Sequence, residues 1–314
     1  MSIPNQPKPT RAMVILAFGI IYVLWGSTYL AIRVVVETLP PFLSGGVRFL
    51  VAGSALLMLL WMRGVPLPNG LEWRNASVVG LLLLVSGNGL VMWAEKSISS
   101  GLTALLIALT PVWFALLDWA LPNGTRPGWR TLAGIVVGFS GIVVLINGDA
   151  RVNGSLLAAI AVIVAGISWA GGSLYAKHTS NGSSAWMNAA TQMICGGGGL
   201  LLVGTVLGEP WRTEWSGVSA RSLLALGYLV VFGSWIAFSA YVWLLQVSTP
   251  SRVSTYAYVN PVIAVFLGWA LLGETVSSRM FLGMLIVVAG VVIITMPQAQ
   301  PGTRQLCTSI GRRD

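Results

Sequence analysis

The chain has 314 residues, 55% of them hydrophobic and 9% charged, with a mean hydropathy of +0.81. Soluble domains carry roughly 25% charged residues, so this composition excludes a protein whose main solvent is water. The formal charge of +9 invites a nucleic-acid partner, but the Lys and Arg residues stand singly between apolar runs and never form a stripe, which argues against one.

In chain order, Lys8 and Arg11 precede an apolar stretch that mimics a signal peptide. That stretch is long enough to span a bilayer, lacks a small-residue cleavage site and is followed by many others, so it reads as a first helix. A crossing takes about 20 mostly apolar residues. Ten segments supply them: 13–31, 42–62, 76–94, 101–121, 131–147, 155–176, 185–207, 221–244, 252–272 and 280–296. The expected fold class is therefore an all-α polytopic membrane protein with ten transmembrane helices. Turn chemistry marks the breaks, as in Leu39-Pro40-Pro41, Asn69-Gly70, Pro122-Asn123-Gly124, Asn181-Gly182 and Gly208-Glu209-Pro210. The loops are short and leave no room for a soluble catalytic domain.

The second half of the chain echoes the first. Trp93 matches Trp243, Pro111-Val112 matches Pro261-Val262, Leu117 matches Leu267 and Trp119-Ala120-Leu121 matches Trp269-Ala270-Leu271. One residue out of that register, Arg130, Gly134, Gly141 and Val143 match Arg279, Gly283, Gly290 and Val292, and a weaker echo sets Trp25 against Trp169. The organisation expected is a cytoplasmic segment 1–12, a five-helix repeat 13–147, a linker 148–154, a second repeat 155–296 and a disordered cytoplasmic tail 297–314. Five is odd, so the second copy enters the membrane upside down, the inverted arrangement of many secondary transporters, whose site lies between the copies near the midplane. Lys and Arg counted in alternate loops put both termini in the cytoplasm.

These residues resemble the drug/metabolite transporter superfamily, in particular its EamA-type ten-helix exporters. The resemblance runs through Trp25-Gly26-Ser27-Thr28-Tyr29 with Arg33, Arg48-Phe49, Gly87-Asn88-Gly89, Ser168-Trp169, Tyr256-Ala257-Tyr258-Val259-Asn260-Pro261 and Gly273-Glu274. It implies an inner-membrane exporter of amino acids, small metabolites and drugs. Its cavity would be formed by helices 1, 3, 4, 6, 8 and 9, with helices 5 and 10 at the periphery. One departure stands out: the Gly-Glu closing helix 9 has no counterpart at the end of helix 4, where Asp118-Trp119 stands.

Candidate site residues follow from helical spacing. Trp25, Thr28, Tyr29 and Ile32 share a face of helix 1, and Asn88, Met92 and Glu95 share one of helix 3. Thr110 and Asn260 precede the paired prolines Pro111 and Pro261, candidate hinges whose missing N–H frees a backbone carbonyl. Tyr256 lies one turn before Asn260, Trp113 could close the cavity beside Thr110, and Trp169 with Ser173 and Ser239 with Trp243 supply the second copy. Each of these has a packing alternative: Trp and Tyr in an interfacial belt, Asn in an interhelical bond, Thr110 and Asn260 repairing their own kinks. Arg48, costly at bilayer depth by roughly 2.5–3.5 kcal/mol or more, either anchors a substrate carboxylate or ties helix 2 to its neighbours.

No metal or cofactor is expected, since Cys195 and Cys307 have no ligand spacing. An enzyme is not expected either, because His178 stands alone on a predicted loop and no paired acids share a membrane depth. The expected partners are a small-molecule substrate and the lipid bilayer, with no oligomer required. A channel is the other rival, separable by single-channel currents.

Overall fold

The computed structural model describes residues 10–121, 128–146, 156–179 and 184–295. The linker 148–154, the tail 297–314 with Cys307, and residues 1–9 lie outside the described residues. Within them the chain is helical throughout: α1 Arg11–Val35, α2 Pro41–Met62, α3 Gly70–Ala94, α4 Ser100–Ala120, α5 Trp129–Ile146, α6 Leu156–Thr179, α7 Ala185–Val206, α8 Ala220–Val247, α9 Tyr256–Leu272 and α10 Ser278–Thr295. Seven of these (α1 to α4 and α6 to α8) are long and apolar enough to cross a membrane on their own. The helices α5, α9 and α10 have 18, 17 and 18 residues, which at 1.5 Å per residue gives about 26–27 Å against a hydrocarbon core of about 30 Å. His178, expected on a loop, instead ends α6, where its Nδ1 lies 2.8 Å from the Leu174 carbonyl.

Local chemistry starts the helices where the turns predict. Thr10 caps α1 through its hydroxyl, Asn69 and Glu72 form a reciprocal capping box at α3, and Ser99 and Ser219 cap α4 and α8. Two longer-range caps use the dipeptide Gly-Glu. Gly208 and Gly273 adopt φ of +79° and +65°, a left-handed conformation that glycine takes without a Cβ penalty. The glutamate after each reaches the N-terminus of a different helix. Glu209 accepts from Phe42 N and Leu43 N of α2 at 3.2 and 2.8 Å, and Glu274 accepts from the backbone N and hydroxyl of Ser100 in α4 at 3.1 and 2.9 Å. A carboxylate there satisfies orphan N–H groups and the positive end of the helix dipole.

Helix pairing follows a rule. The most extensive contacts are α2 on α7 and α5 on α10. Around them, α1 packs on α9 as α6 packs on α4, α1 on α8 as α6 on α3, and α2 on α8 as α7 on α3. Adding five to each helix number turns one pair of each set into the other. The two self-matched pairs approach through glycine: a Cβ at Gly197 would sit 2.7 Å from Leu50 N, and one at Gly290 only 2.5 Å from Gly138 N. The glycine clusters therefore serve close packing, and α5 and α10 lie to one side of the cavity helices.

Two helices depart from α geometry. Leu81–Gly89 in α3 and Leu229–Phe238 in α8 are π-helical, at corresponding places in the two halves. Such turns are rare and leave carbonyls available to other donors. In α4 the break falls at Ala108 and Leu109, directly before Thr110-Pro111. In the second half the break falls before α9, at Ser254 and Thr255 after a single turn Pro250–Val253, and Pro261 sits inside the continuous α9.

Candidate functional site

A cavity of about 60 Å³ lies between α1, α2, α3, α4, α6, α8 and α9, against roughly 10–15 Å³ for a single water. Among the residues singled out from the sequence, Trp25, Thr28, Tyr29, Arg48, Asn88, Thr110, Trp169 and Tyr256 line it. A second pocket of about 120 Å³ near the start of α3 is lined by residues such as Asn75, Asn188 and Gln192 and holds no aromatic or cationic side chain.

One wall is made of rings. Trp25 meets Trp169 edge-on at 5.5 Å, Tyr256 edge-on at 5.0 Å and Tyr241 at 4.9 Å, while Trp169 and Tyr241 lie 5.5 Å apart. These separations fall within the 4.5–7 Å that favours aromatic pairs. Each buried polar tip has a partner: Trp25 Nε1 donates to the Gly233 carbonyl at 3.3 Å, Trp169 Nε1 donates to the Tyr241 hydroxyl at 2.9 Å, and the hydroxyls of Ser173 and Tyr241 share a bond at 2.6 Å. The rings touch one another, so this conformation encloses only a small space.

The same cavity carries a charge. Arg48 is 2% exposed. Its Nε donates to Ser234 Oγ at 2.6 Å, one Nη reaches Asn88 Oδ1 at a long 3.4 Å, and the guanidinium lies over the Phe49 ring at 4.6 Å. None of these partners is acidic. A guanidinium offers five N–H donors, so Arg48 reaches the cavity with no acidic partner among the described residues and with more donors than these two bonds use. It lines the cavity and ties α2 to α3 and α8 at once.

The other candidates lie elsewhere. Thr28 and Thr110 line the cavity but donate their hydroxyl protons to their own helices, at the Trp25 and Ile107 carbonyls, 2.7 and 2.6 Å away. Asn260, with its amide nitrogen toward α1, donates to the Tyr22 and Tyr256 carbonyls at 3.0 and 3.2 Å and so staples α9 to α1 behind the wall. Met92 is fully buried against Gly45, Trp113 packs edge-on against Phe139 at 5.8 Å, and Trp243 is half-buried on the core. Ser239 is buried with no partner for its hydroxyl.

Sequence reasoning missed Tyr241, Phe238, Phe49, Gly233 and Ser234. Tyr241 stands two residues from both Ser239 and Trp243, about 200° around a helix of 3.6 residues per turn, so choosing their face turned it away. The π segment of α8 was also missed. It carries Gly233 and Phe238 to the cavity and Ser234 to Arg48, and a largely apolar run gives it no signature.

The sequence profile of the EamA-like transporter family matches residues 12–147 and again 156–296. The chain belongs to the EamA-like transporter family. It is 38% identical over 277 residues to the uncharacterized inner membrane transporter YedA of Escherichia coli K12, covering 88% of each chain. It is 26% identical to the uncharacterized transporter YoaV of Bacillus subtilis, covering 90% of this chain and 97% of that one. It is 24% identical to the chloroplastic WAT1-related protein At3g02690 of Arabidopsis thaliana, covering 88% and 68%. A solved crystal structure superposes with a TM-score of 0.66 at 19% identity over 90% of this chain and 96% of that one, a likeness of fold. With its helices and this kinship, the chain is a multi-pass transporter of the inner membrane.

Proposed function

We propose that the protein exports small amphipathic solutes, aromatic or other apolar amino acids and related drugs, by alternating access through the cavity between two inverted repeats, 13–147 and 155–296, with both termini in the cytoplasm. One observation carries the substrate class: the guanidinium of Arg48, with no acidic partner among the described residues, lines the same cavity as the rings of Trp25, Trp169 and Tyr256, which Tyr241 backs. A carboxylate complements the first by charge-assisted, bidentate hydrogen bonds, and an apolar or aromatic side chain complements the second. The paired contacts of α1 to α4 and α6 to α9 support two interchangeable arrangements of the halves, the requirement for a site opened to each side in turn. In the conformation described the rings close on one another, and a solute enters as they part. The test is counterflow of radiolabelled tryptophan, phenylalanine and leucine into proteoliposomes holding the purified full chain. Uptake above protein-free vesicles is expected, and none for any of the three would overturn the reading.

A further inference from the structure

One charged group beside the site has no role in holding solute. Glu95 directly follows the last residue of α3 and lies one turn beyond Val91, which lines the cavity with Asn88. It is 0% exposed, and neither carboxyl oxygen has a hydrogen-bond partner. A buried carboxylate left in that condition would cost several kcal/mol, whereas the neutral acid fits.

The charged and titratable groups around Glu95 come from two elements and its own chain neighbour. From α1, Tyr29 reaches it from the cavity wall, and Arg33, one turn further along, binds the Glu95 backbone carbonyl rather than its carboxyl. From the turn after α9, Glu274 opposes it, already held by Ser100 at the start of α4. Lys96 follows in sequence with its side chain exposed. Burial, then the Glu274 charge, push the Glu95 carboxyl well above the usual carboxylate range, and Arg33 pulls the other way. Glu95 thus sits shielded from solvent just past the end of α3, within electrostatic reach of Tyr29 in the cavity wall.

We propose, on the basis of the transport reading above, that Glu95 is the proton-binding site through which a pH gradient drives solute movement. In the closed conformation the carboxyl holds its proton. When the halves part, water and the Arg33 guanidinium reach the carboxyl, its O–H bond breaks, and the proton leaves to water while the carboxylate pairs with Arg33. Reprotonation from water on the other side returns the neutral acid. One proton enters and one leaves per cycle, and no other reactant takes part.

The test uses proteoliposomes of the full chain and radiolabelled tryptophan, phenylalanine and leucine, comparing uptake with and without an imposed pH gradient. For the unmodified chain the gradient is expected to raise accumulation severalfold. Glu95→Gln, which has the shape of the neutral acid, is expected to exchange solute with a gradient ratio near one, and Glu95→Asp to restore part of the ratio. An infrared carboxyl band present in the unmodified protein at neutral pH and absent from Glu95→Gln is the second readout. Normal counterflow with a gradient ratio unchanged by Glu95→Gln, or no such band, overturns the proposal while the transport reading stands. Absence of counterflow in the unmodified chain overturns the transport reading first.

Discussion

Trp25 of α1 donates its indole N–H to the carbonyl of Gly233, inside the π-helical stretch of α8. The other half repeats the device: Ser168 of α6 donates to the carbonyl of Leu82, inside the π-helical stretch of α3, at 2.9 Å. The paired helices are related by the same step of five that relates the rest of the packing. In each half, then, a helix carrying a cavity tryptophan, Trp25 or Trp169, is tied to a carbonyl that an α-helix would have kept for itself. The wide turns also bring Gly87 and Asn88, and Gly233 and Phe238, to the cavity.

Trp25 therefore links ring packing to backbone position, and its two contributions can be separated. Trp25→Phe keeps a ring but loses the N–H, and is expected to lower counterflow of tryptophan about tenfold or less, corresponding to one net hydrogen bond of about 1 kcal/mol. Trp25→Ala removes both and is expected to abolish flux, with a stability loss of about 3–5 kcal/mol, as for large aromatic truncations. Initial rates per folded protein, checked by gel filtration, measure the difference. Equal rates for Trp25→Phe and the unmodified chain would show the Gly233 bond to be dispensable.

The charge in the cavity calls for a different comparison. Arg48→Lys keeps a cation but loses the planar fork, so carboxylate-bearing solutes are expected to lose about tenfold in apparent affinity, or about 1.4 kcal/mol. Tryptophanamide, which lacks the carboxylate, is expected to change little. Competition against labelled tryptophan in proteoliposomes reads both, and an equal loss for the acid and the amide would assign Arg48 to helix packing alone.

Much of this was legible in the chain because hydrophobic length and internal echo are strong signals. The span boundaries, the matched tryptophans and the matched prolines needed only composition and spacing. The cavity was legible for α1, where Trp25, Thr28 and Tyr29 share one face of a regular helix. It was not legible for α8, because the face of Ser239 and Trp243 points away from Tyr241, and because the π segment before them turns Gly233 and Phe238 toward the cavity out of α register. Nor could spacing reveal that Asn260 spends its amide on Tyr22 in another helix, or that Glu209 and Glu274 cap helices far away in sequence. Those partners exist only after the bundle has packed. Arg48 was visible as a costly residue, but its role turned on whether α2 reaches the cavity, a fact of three dimensions.

The close pairing of α5 and α10 yields a stability prediction that leaves the cavity untouched. At Gly290 a Cβ would fall 2.5 Å from the backbone nitrogen of Gly138, and backbone cannot move aside as a flexible side chain can. Gly290→Leu is expected to lower the melting temperature of the detergent-solubilised protein clearly, by overpacking of about 1–3 kcal/mol or more. Gly198→Ala, where nothing lies within 4 Å, is expected to be close to neutral. A well-folded Gly290→Leu protein would mean that these two helices do not pack through their glycines.

The buried acid after α3 makes stability depend on pH with a definite sign. Burial raises the Glu95 carboxyl above its ordinary range, so the folded state holds a proton that the unfolded state gives up. Linkage then makes stability highest at pH values below the ordinary carboxylate range, and makes it fall as pH rises through that range toward the raised value. Glu95→Gln cannot titrate, so it is expected to flatten this part of the profile. Melting temperatures of the two proteins in the same detergent, from pH 4 to pH 8, check it. Parallel curves would mean that Glu95 is ionised in the folded protein, with Arg33 moved from the backbone carbonyl onto the carboxylate.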